Sequence, residues 1–111
     1  MSGRITYRDT KPFCVPASLD ELTGPSMGLV HLPVRLSWAP GDGSFNLEDD
    51  GERTTVYQCV IGEGNAQDQR SYLNRDTLTD MWPTLRLDLA ITAAWENRFN
   101  VLRGRNKWLA L

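Results

Sequence analysis

Few side chains in this sequence are of the types that carry out nucleophilic, acid–base or metal chemistry. His31 is the only histidine, and the two cysteines, Cys14 and Cys59, lie far apart in the chain. A nucleophile usually needs a base beside it, and a zinc site needs several clustered ligands. Asp76 and Asp80 are one helical turn apart, which is more typical of a solvated helix surface than of an acid–base pair. The residue types therefore predict a protein that is not an enzyme and carries no cofactor and no metal.

The acidic run Glu48–Glu52 invites comparison with a calcium-binding loop. Counting an EF-hand loop from Asp42 puts Leu47 where glycine is required and Arg53 where a bidentate glutamate is required. The run is better explained as negative charge at a helix N-terminus, where the helix dipole favours it. We therefore expect it to begin a helix rather than to bind calcium.

A basic cluster near the end of the sequence could bind nucleic acid. Its candidate phosphate contacts are Arg98, Arg103, Arg105 and Lys107. Cations beside an aromatic residue can bind phosphate and stack on a base, but they also suit the C-terminal end of a helix, where the dipole favours them. The helices predicted over residues 66–99 could imitate a helix-turn-helix unit. A small DNA-binding regulator is therefore the alternative function, although a packed three-helix core explains the same pattern.

Four tryptophans are a high number for a chain of this length. Trp82 and Trp95 fall on the apolar stripes of predicted helices and are expected in the core. Trp38 ends a predicted strand, and Trp108 follows the basic cluster, so these two are the candidates for a partner interface. Tryptophan is enriched at the centres of protein–protein interfaces.

Composition fits an ordinary globular domain. The 111 residues carry a formal net charge of −2, and 41% of them are hydrophobic. This charge is too balanced to indicate a nucleic-acid or membrane partner by itself. No apolar run approaches the roughly 20 residues that a membrane span needs, and no signal peptide is recognised. We expect a single domain over residues 1–111 in the cytoplasm, with both cysteines as free thiols.

The first part of the chain is predicted to be extended. Residues 1–28 hold several prolines and glycines and are expected to form an irregular packing arm, with one capped turn near Ser18. Residues 29–38 alternate between apolar and polar side chains, which predicts a strand. Pro33 lacks a backbone donor, so this strand should lie at a sheet edge. Its partner is left open: a short stretch near residues 5–7, the region of Cys14, or another chain.

The rest of the chain shows helical spacing. Helices are predicted over residues 50–62, 66–73, 75–82 and 87–99, with caps at Asn65 and Asn74. We expect a helical core over residues 50–102 and a frayed basic tail over 103–111. The fold class is thus mostly α, or α+β: about four short helices form a C-terminal bundle, and an extended N-terminal half carries one edge strand.

Several segments together resemble a group of small uncharacterised actinobacterial proteins. They are Ile5–Thr10, Val15–Pro25, Tyr72–Leu78, Met81–Pro83 and Ala94–Phe99. Members of this group are often encoded beside a nucleotidyltransferase-like toxin of the abortive-infection type. The resemblance implies an accessory or antitoxin-like partner of such a toxin and transfers no site residue. The expected function is therefore a non-enzymatic protein-interaction module.

Overall fold

The computed structural model describes residues 13–36 and 43–106. This part of the chain forms a small α+β fold with four α-helices and one antiparallel pair of strands. The helices are α1 (Asp50–Glu63), α2 (Ala66–Tyr72), α3 (Arg75–Met81) and α4 (Leu89–Arg98). The strands are β1 (Leu29–His31) and β2 (Ser44–Asn46), and short 3-10 turns occupy Leu19–Glu21 and Trp82–Thr84.

Side-chain caps explain where the helices begin. The carboxylate of Asp49 accepts from the Glu52 amide at the start of α1, and Asn65 and Asp68 form a reciprocal capping box at the start of α2. Asn74 caps α3. Four helices were predicted and four are present among the described residues; three of them start at the predicted residue, and the remaining ends lie within two residues of the prediction.

The strand predicted over residues 29–38 is wrong in length. β1 ends at His31, and a turn follows in which the Leu36 amide donates to the Pro33 carbonyl at 2.9 Å. The turn also disrupts the predicted apolar face, because Val34 is 93% exposed although Leu32 is buried. The sequence continues to alternate between apolar and polar residues through Pro33, but the strand does not continue, because proline favours a turn there as much as a strand.

The partner of β1 is β2, a strand that the sequence did not predict. Val30 lies opposite Phe45 in the antiparallel register, so the strand pairs within the chain over the described residues. The outward backbone groups find side-chain partners: the Tyr72 hydroxyl donates to the His31 carbonyl, and the Asn46 amide donates to the Glu52 carboxylate. These contacts cover part of each sheet edge, which otherwise invites pairing with another chain.

The core lies between the sheet, the helices and the arm. The rings of Trp82 and Trp95 stack with their centroids 5.9 Å apart, and Phe99 packs against Trp95. Both tryptophans are fully buried, as predicted. The other fully buried large residues are Tyr57, Leu32, Leu36, Leu47, Ile61, Leu73, Leu78, Leu85 and Leu102.

The described part of the arm, residues 13–28, packs along the junction between α2 and α3. Leu19 and Leu22 are buried, whereas Phe13 is 36% exposed. The Gly24 amide donates to the Leu73 carbonyl at 2.7 Å. A Cβ on Gly24 would lie 2.6 Å from a backbone oxygen at the end of α2, so the close approach requires glycine.

None of the helices among the described residues has the length and apolar character that crossing a membrane would require.

Candidate functional site

Half of the residues predicted to contact a partner are placed by the structure. Trp38, Trp108 and Lys107 lie outside the described residues, so their predicted roles stay predictions. Arg98, Arg103 and Arg105 are described, and all three are exposed at or after the end of α4.

Two of these three arginines hydrogen-bond backbone carbonyls at or after the end of α4. Arg103 donates to the carbonyls of Glu96 and Asn97, at 3.4 and 3.2 Å. These two bonds satisfy carbonyls that a helix end leaves unpaired. Arg105 donates to the carbonyl of Val101, in the turn after α4, at 3.3 Å. The geometry of Arg103 corresponds to the structural role considered for these cations, in which they stabilise a helix C-terminus.

The expectation of a frayed tail from residue 103 is wrong for residues 103–106. The Glu96 carboxylate accepts three hydrogen bonds, from the Trp82 indole at 2.9 Å and from the amides of Gly104 and Asn106 at 2.8 and 3.0 Å. The Asn106 side chain donates to the carbonyls of Trp82 and Leu85, each at 2.8 Å. Asn106 is therefore 1% exposed and ties the chain to the junction of α3 and α4.

This cluster, which we call the Glu96 clasp (Glu96, Trp82, Gly104 and Asn106), holds a buried carboxylate in its charged form. Burial by itself would raise the pKa of Glu96. The hydrogen bonds from Trp82, Gly104 and Asn106 together outweigh burial, and the pKa lies below its ordinary value. Sequence spacing does not indicate this cluster, because the partners of Glu96 are brought to it only by the fold.

The solvent-facing side of α4 is poor in groups that read DNA. Its exposed residues are Leu89, Asn97 and Arg98, and its alanines are half-buried. Asp88 caps the N-terminus of the helix by accepting from the Ala90 amide. A single cation on this face differs from the basic surface that a recognition helix presents to phosphate.

Exposed large apolar side chains are concentrated near β1. Met27, Leu29 and Val34 are 67%, 77% and 93% exposed, and we call these three residues the apolar stretch. They are half of the exposed large apolar residues identified among the described residues; the others are Phe13, Leu89 and Val101. Apolar side chains displayed close together on a surface are typical of a protein-binding site.

An ion pair between the exposed side chain of Arg35 and the buried carboxylate of Asp68 holds the turn that displays Val34. Arg35 donates to both oxygens of Asp68 at 2.7 and 2.8 Å. Asp68 is 5% exposed and also completes the capping box of α2. The hydrogen bonds from Arg35 lower the pKa of Asp68, against the opposing effect of burial. The turn is thus tied to α2 by a bidentate contact that was not visible in the sequence spacing.

The few residues of catalytic type are not gathered in the described part. The His31 ring lies 3.5 Å from the Ser44 hydroxyl on the outer face of the sheet. Cys14 is half-buried and Cys59 fully buried, and the two do not form a disulfide with each other. Among residues 13–36 and 43–106, no three His, Cys, Asp or Glu side chains form a group that could hold a metal ion.

Comparison with protein-family models, curated proteins and solved structures found no match for this chain.

Proposed function

We propose that the protein is a non-enzymatic interaction module that binds a protein partner through the apolar stretch. The observation that carries this proposal is the exposure of Met27, Leu29 and Val34 within one short segment. The sharpest form of the proposal is an antitoxin-like or accessory partner of a nucleotidyltransferase-type toxin. That form rests on the sequence resemblance and on nothing in the structure.

The energetic scale supports a partner that covers more than the apolar stretch. Burying Leu29 and Val34 would each contribute about 1.5–3 kcal/mol. Association itself costs about 4–15 kcal/mol in lost freedom of motion. Further contacts are needed, and Trp38, four positions after Val34 in the sequence, remains the predicted anchor.

The rigidity of the turn also favours this function. Arg35 and Asp68 hold the segment that carries Val34, and the Tyr72 hydroxyl holds the end of β1. A surface fixed before binding loses less conformational freedom on association. The apolar stretch is therefore presented by a supported element rather than by a loose loop.

The alternative function, a small DNA-binding regulator, receives less support. Arg103 and Arg105 donate hydrogen bonds to backbone carbonyls, which leaves fewer N–H groups for phosphate. Glu96 accepts from the Trp82 indole and Asp88 from the Ala90 amide, so both carboxylates have structural roles. DNA binding through the cluster would still show an affinity that falls steeply with salt and with neutralisation of its cations.

Capture from the organism that encodes the chain tests the proposal. The tagged protein is purified with and without nuclease, and the double variant Leu29→Lys/Val34→Lys is compared with the wild type. The control Gln67→Lys/Ser71→Lys adds the same charge on the exposed side of α2. We expect a stoichiometric protein that survives nuclease and binds the control normally.

The double variant should weaken binding about 100-fold or more, since about 3 kcal/mol of apolar burial is replaced by buried charge. Equal capture by the variant and the wild type would refute the assigned surface. Recovery of DNA alone, lost at moderate salt, would favour the regulator. A captured nucleotidyltransferase whose toxicity is relieved by co-expression would support the antitoxin-like form, and a harmless neighbouring gene would count against it.

A further inference from the structure

A groove lies on the side of the molecule formed by the arm, α3 and the segment after α4. It has a volume of about 560 Å³ and is lined by Leu19, Asp20, Arg75, Asp76, Thr79, Asp80 and Val101. A second cleft of about 330 Å³ shares Asp20, Arg75 and Asp76 with it and continues towards Thr23 and Asn74. The two clefts are thus neighbours on the surface where the arm meets α3.

The groove combines apolar side chains with an acidic rim. Leu19 reaches it from the arm and Val101 from the turn after α4, where Val101 is 55% exposed. Asp76 and Asp80 are one turn apart on α3, so their carboxylates share a face of that helix. Thr79 lies on the same face between them. An aliphatic side chain could therefore contact the apolar residues while a neighbouring cation reaches the rim.

The charges of the groove do not cancel. Arg75 donates to Asp20 at 2.6 Å and to Asp76 at 3.2 Å, which leaves its single positive charge shared between two carboxylates. With Asp80 included, three carboxylates face one guanidinium, so the lining has a net charge of 1 − 3 = −2. Arg105, whose guanidinium donates to the Val101 carbonyl, adds one positive charge at the edge of the groove. The carboxylates still outnumber these two cations, so the groove attracts cations at the α3 side.

We propose that this groove binds a lysine- or arginine-bearing segment of a protein partner, in which the cations flank an aliphatic residue. The proposal rests on the proposed function in taking the occupant to be a protein. Charge complementarity favours a basic protein segment over a nucleic acid, because a nucleic acid would bring phosphates against three carboxylates. A bare metal ion would meet the Arg75 guanidinium at the centre of the lining and no apolar contact.

A synthetic probe tests the groove without knowledge of the natural partner. The full-length isotope-labelled protein is titrated with a capped octapeptide of alternating arginine and leucine, and its amide signals are followed by NMR. The counterpart peptide of glutamate and leucine is the charge control. We expect the arginine peptide to shift the amides of Thr79, Asp80 and Val101, and the glutamate peptide to leave them in place.

Two variants separate the charged rim from the apolar lining. Asp76→Asn/Asp80→Asn should weaken binding of the arginine peptide about tenfold, as expected when two exposed ion pairs are lost. Val101→Ser should weaken it about threefold at constant charge. The matched control Glu48→Gln/Glu63→Gln changes the net charge equally but lies away from the groove, and it should bind the peptide like the wild type.

The outcomes distinguish this proposal from the proposed function. Shifts that map elsewhere, that persist in Asp76→Asn/Asp80→Asn, or that weaken equally in the control variant would overturn the groove as a docking site. The capture experiment with the apolar stretch does not depend on this result, because its variants lie on β1 and the following turn. If the wild type captures no protein, or if Leu29→Lys/Val34→Lys captures it equally well, while peptide binding is retained, only the proposed function is refuted. Capture that depends on the apolar stretch without peptide binding would refute only the groove.

Discussion

Replacement of Glu96 by glutamine is the sharpest test of how the chain after α4 is held. The carboxylate accepts from the Gly104 amide through Oε1 and from the Trp82 indole and the Asn106 amide through Oε2. Glutamine has one accepting oxygen, and its NH₂ group must face a donor. The favoured orientation keeps the oxygen on Trp82 and Asn106, since Gly104 is exposed and its amide can turn to water.

The expected cost follows from these partners. Glu96→Gln loses the charge on two buried hydrogen bonds and one partly buried bond, which we place at about 1–2 kcal/mol. Glu96→Ala leaves the Trp82 indole and the Asn106 amide without an acceptor, at about 1–3 kcal/mol each, or about 4 kcal/mol in total. The alanine variant should therefore lose about 10–20 °C in Tm, and the glutamine variant less than half of that.

Urea unfolding followed by circular dichroism and by tryptophan fluorescence measures both variants, with Glu48→Gln as the exposed control. The control should change the unfolding free energy by no more than about 0.5 kcal/mol. Emission should shift to the red in Glu96→Ala, because there Trp82 loses its hydrogen-bond acceptor and its burial loosens. A Glu96→Ala cost below about 1 kcal/mol would refute the clasp as a stabilising cluster.

Four further predictions concern the arm, helix α1, the core and the loss of stability at acidic pH. Gly24→Ala should lower the free energy of unfolding by about 1–3 kcal/mol, because the new Cβ would press on backbone. Gly62→Ala, which has open space around it on α1, should raise the free energy of unfolding by about 0.5–1 kcal/mol. Thermal unfolding measures both variants. Tyr57→Phe should cost about 1–2 kcal/mol in urea unfolding, because the amide before α3 donates to the Tyr57 hydroxyl at 2.9 Å; an unchanged midpoint would contradict this contact. Arg35 lowers the pKa of Asp68 in the folded protein, so the ion pair stabilises the fold. This stabilisation is complete above the ordinary carboxyl pKa of about 4 and disappears as pH falls through the lower folded pKa. Arg35→Gln should flatten the fall in urea midpoint between about pH 5 and pH 2.5, and an unaltered fall would count against the pair.

The helices were predictable because their signals are local. Each of the three helix caps, Asp49, Asn65 and Asn74, accepts from a backbone amide three residues later in the chain. The cap can therefore be recognised from neighbouring residues in the sequence. The apolar spacing likewise placed Trp82 and Trp95 in the core. These features need no knowledge of distant parts of the chain.

The errors occur where distant residues decide the outcome. β2 is three residues long, too short to show alternation, and exists because α1 and β1 pack beside it. Asn106 was assigned to a frayed tail because its acceptors, on Trp82 and Leu85, lie more than 20 residues away in sequence. Val34 was misplaced on the apolar face of the predicted strand for the same reason, since only the turn after β1 reveals that it faces solvent.

The groove could be predicted only in part. Asp76 and Asp80 stand at a spacing that places them on one helix face, and their exposure was expected from that spacing. Asp20 and Val101 come from opposite ends of the described chain, so no local pattern indicates that they line one surface with α3. Long-range packing supplies that information.

Hydrogen exchange of the wild-type protein, measured with and without its captured partner, tests the central claim most directly. If the protein binds a protein partner through the apolar stretch, slowed exchange should appear in peptides that cover residues 27–36. Protection should be absent from those peptides in Leu29→Lys/Val34→Lys. Protection confined to residues 97–106, with a nucleic acid as the bound component, would contradict the claim and assign function to the basic cluster.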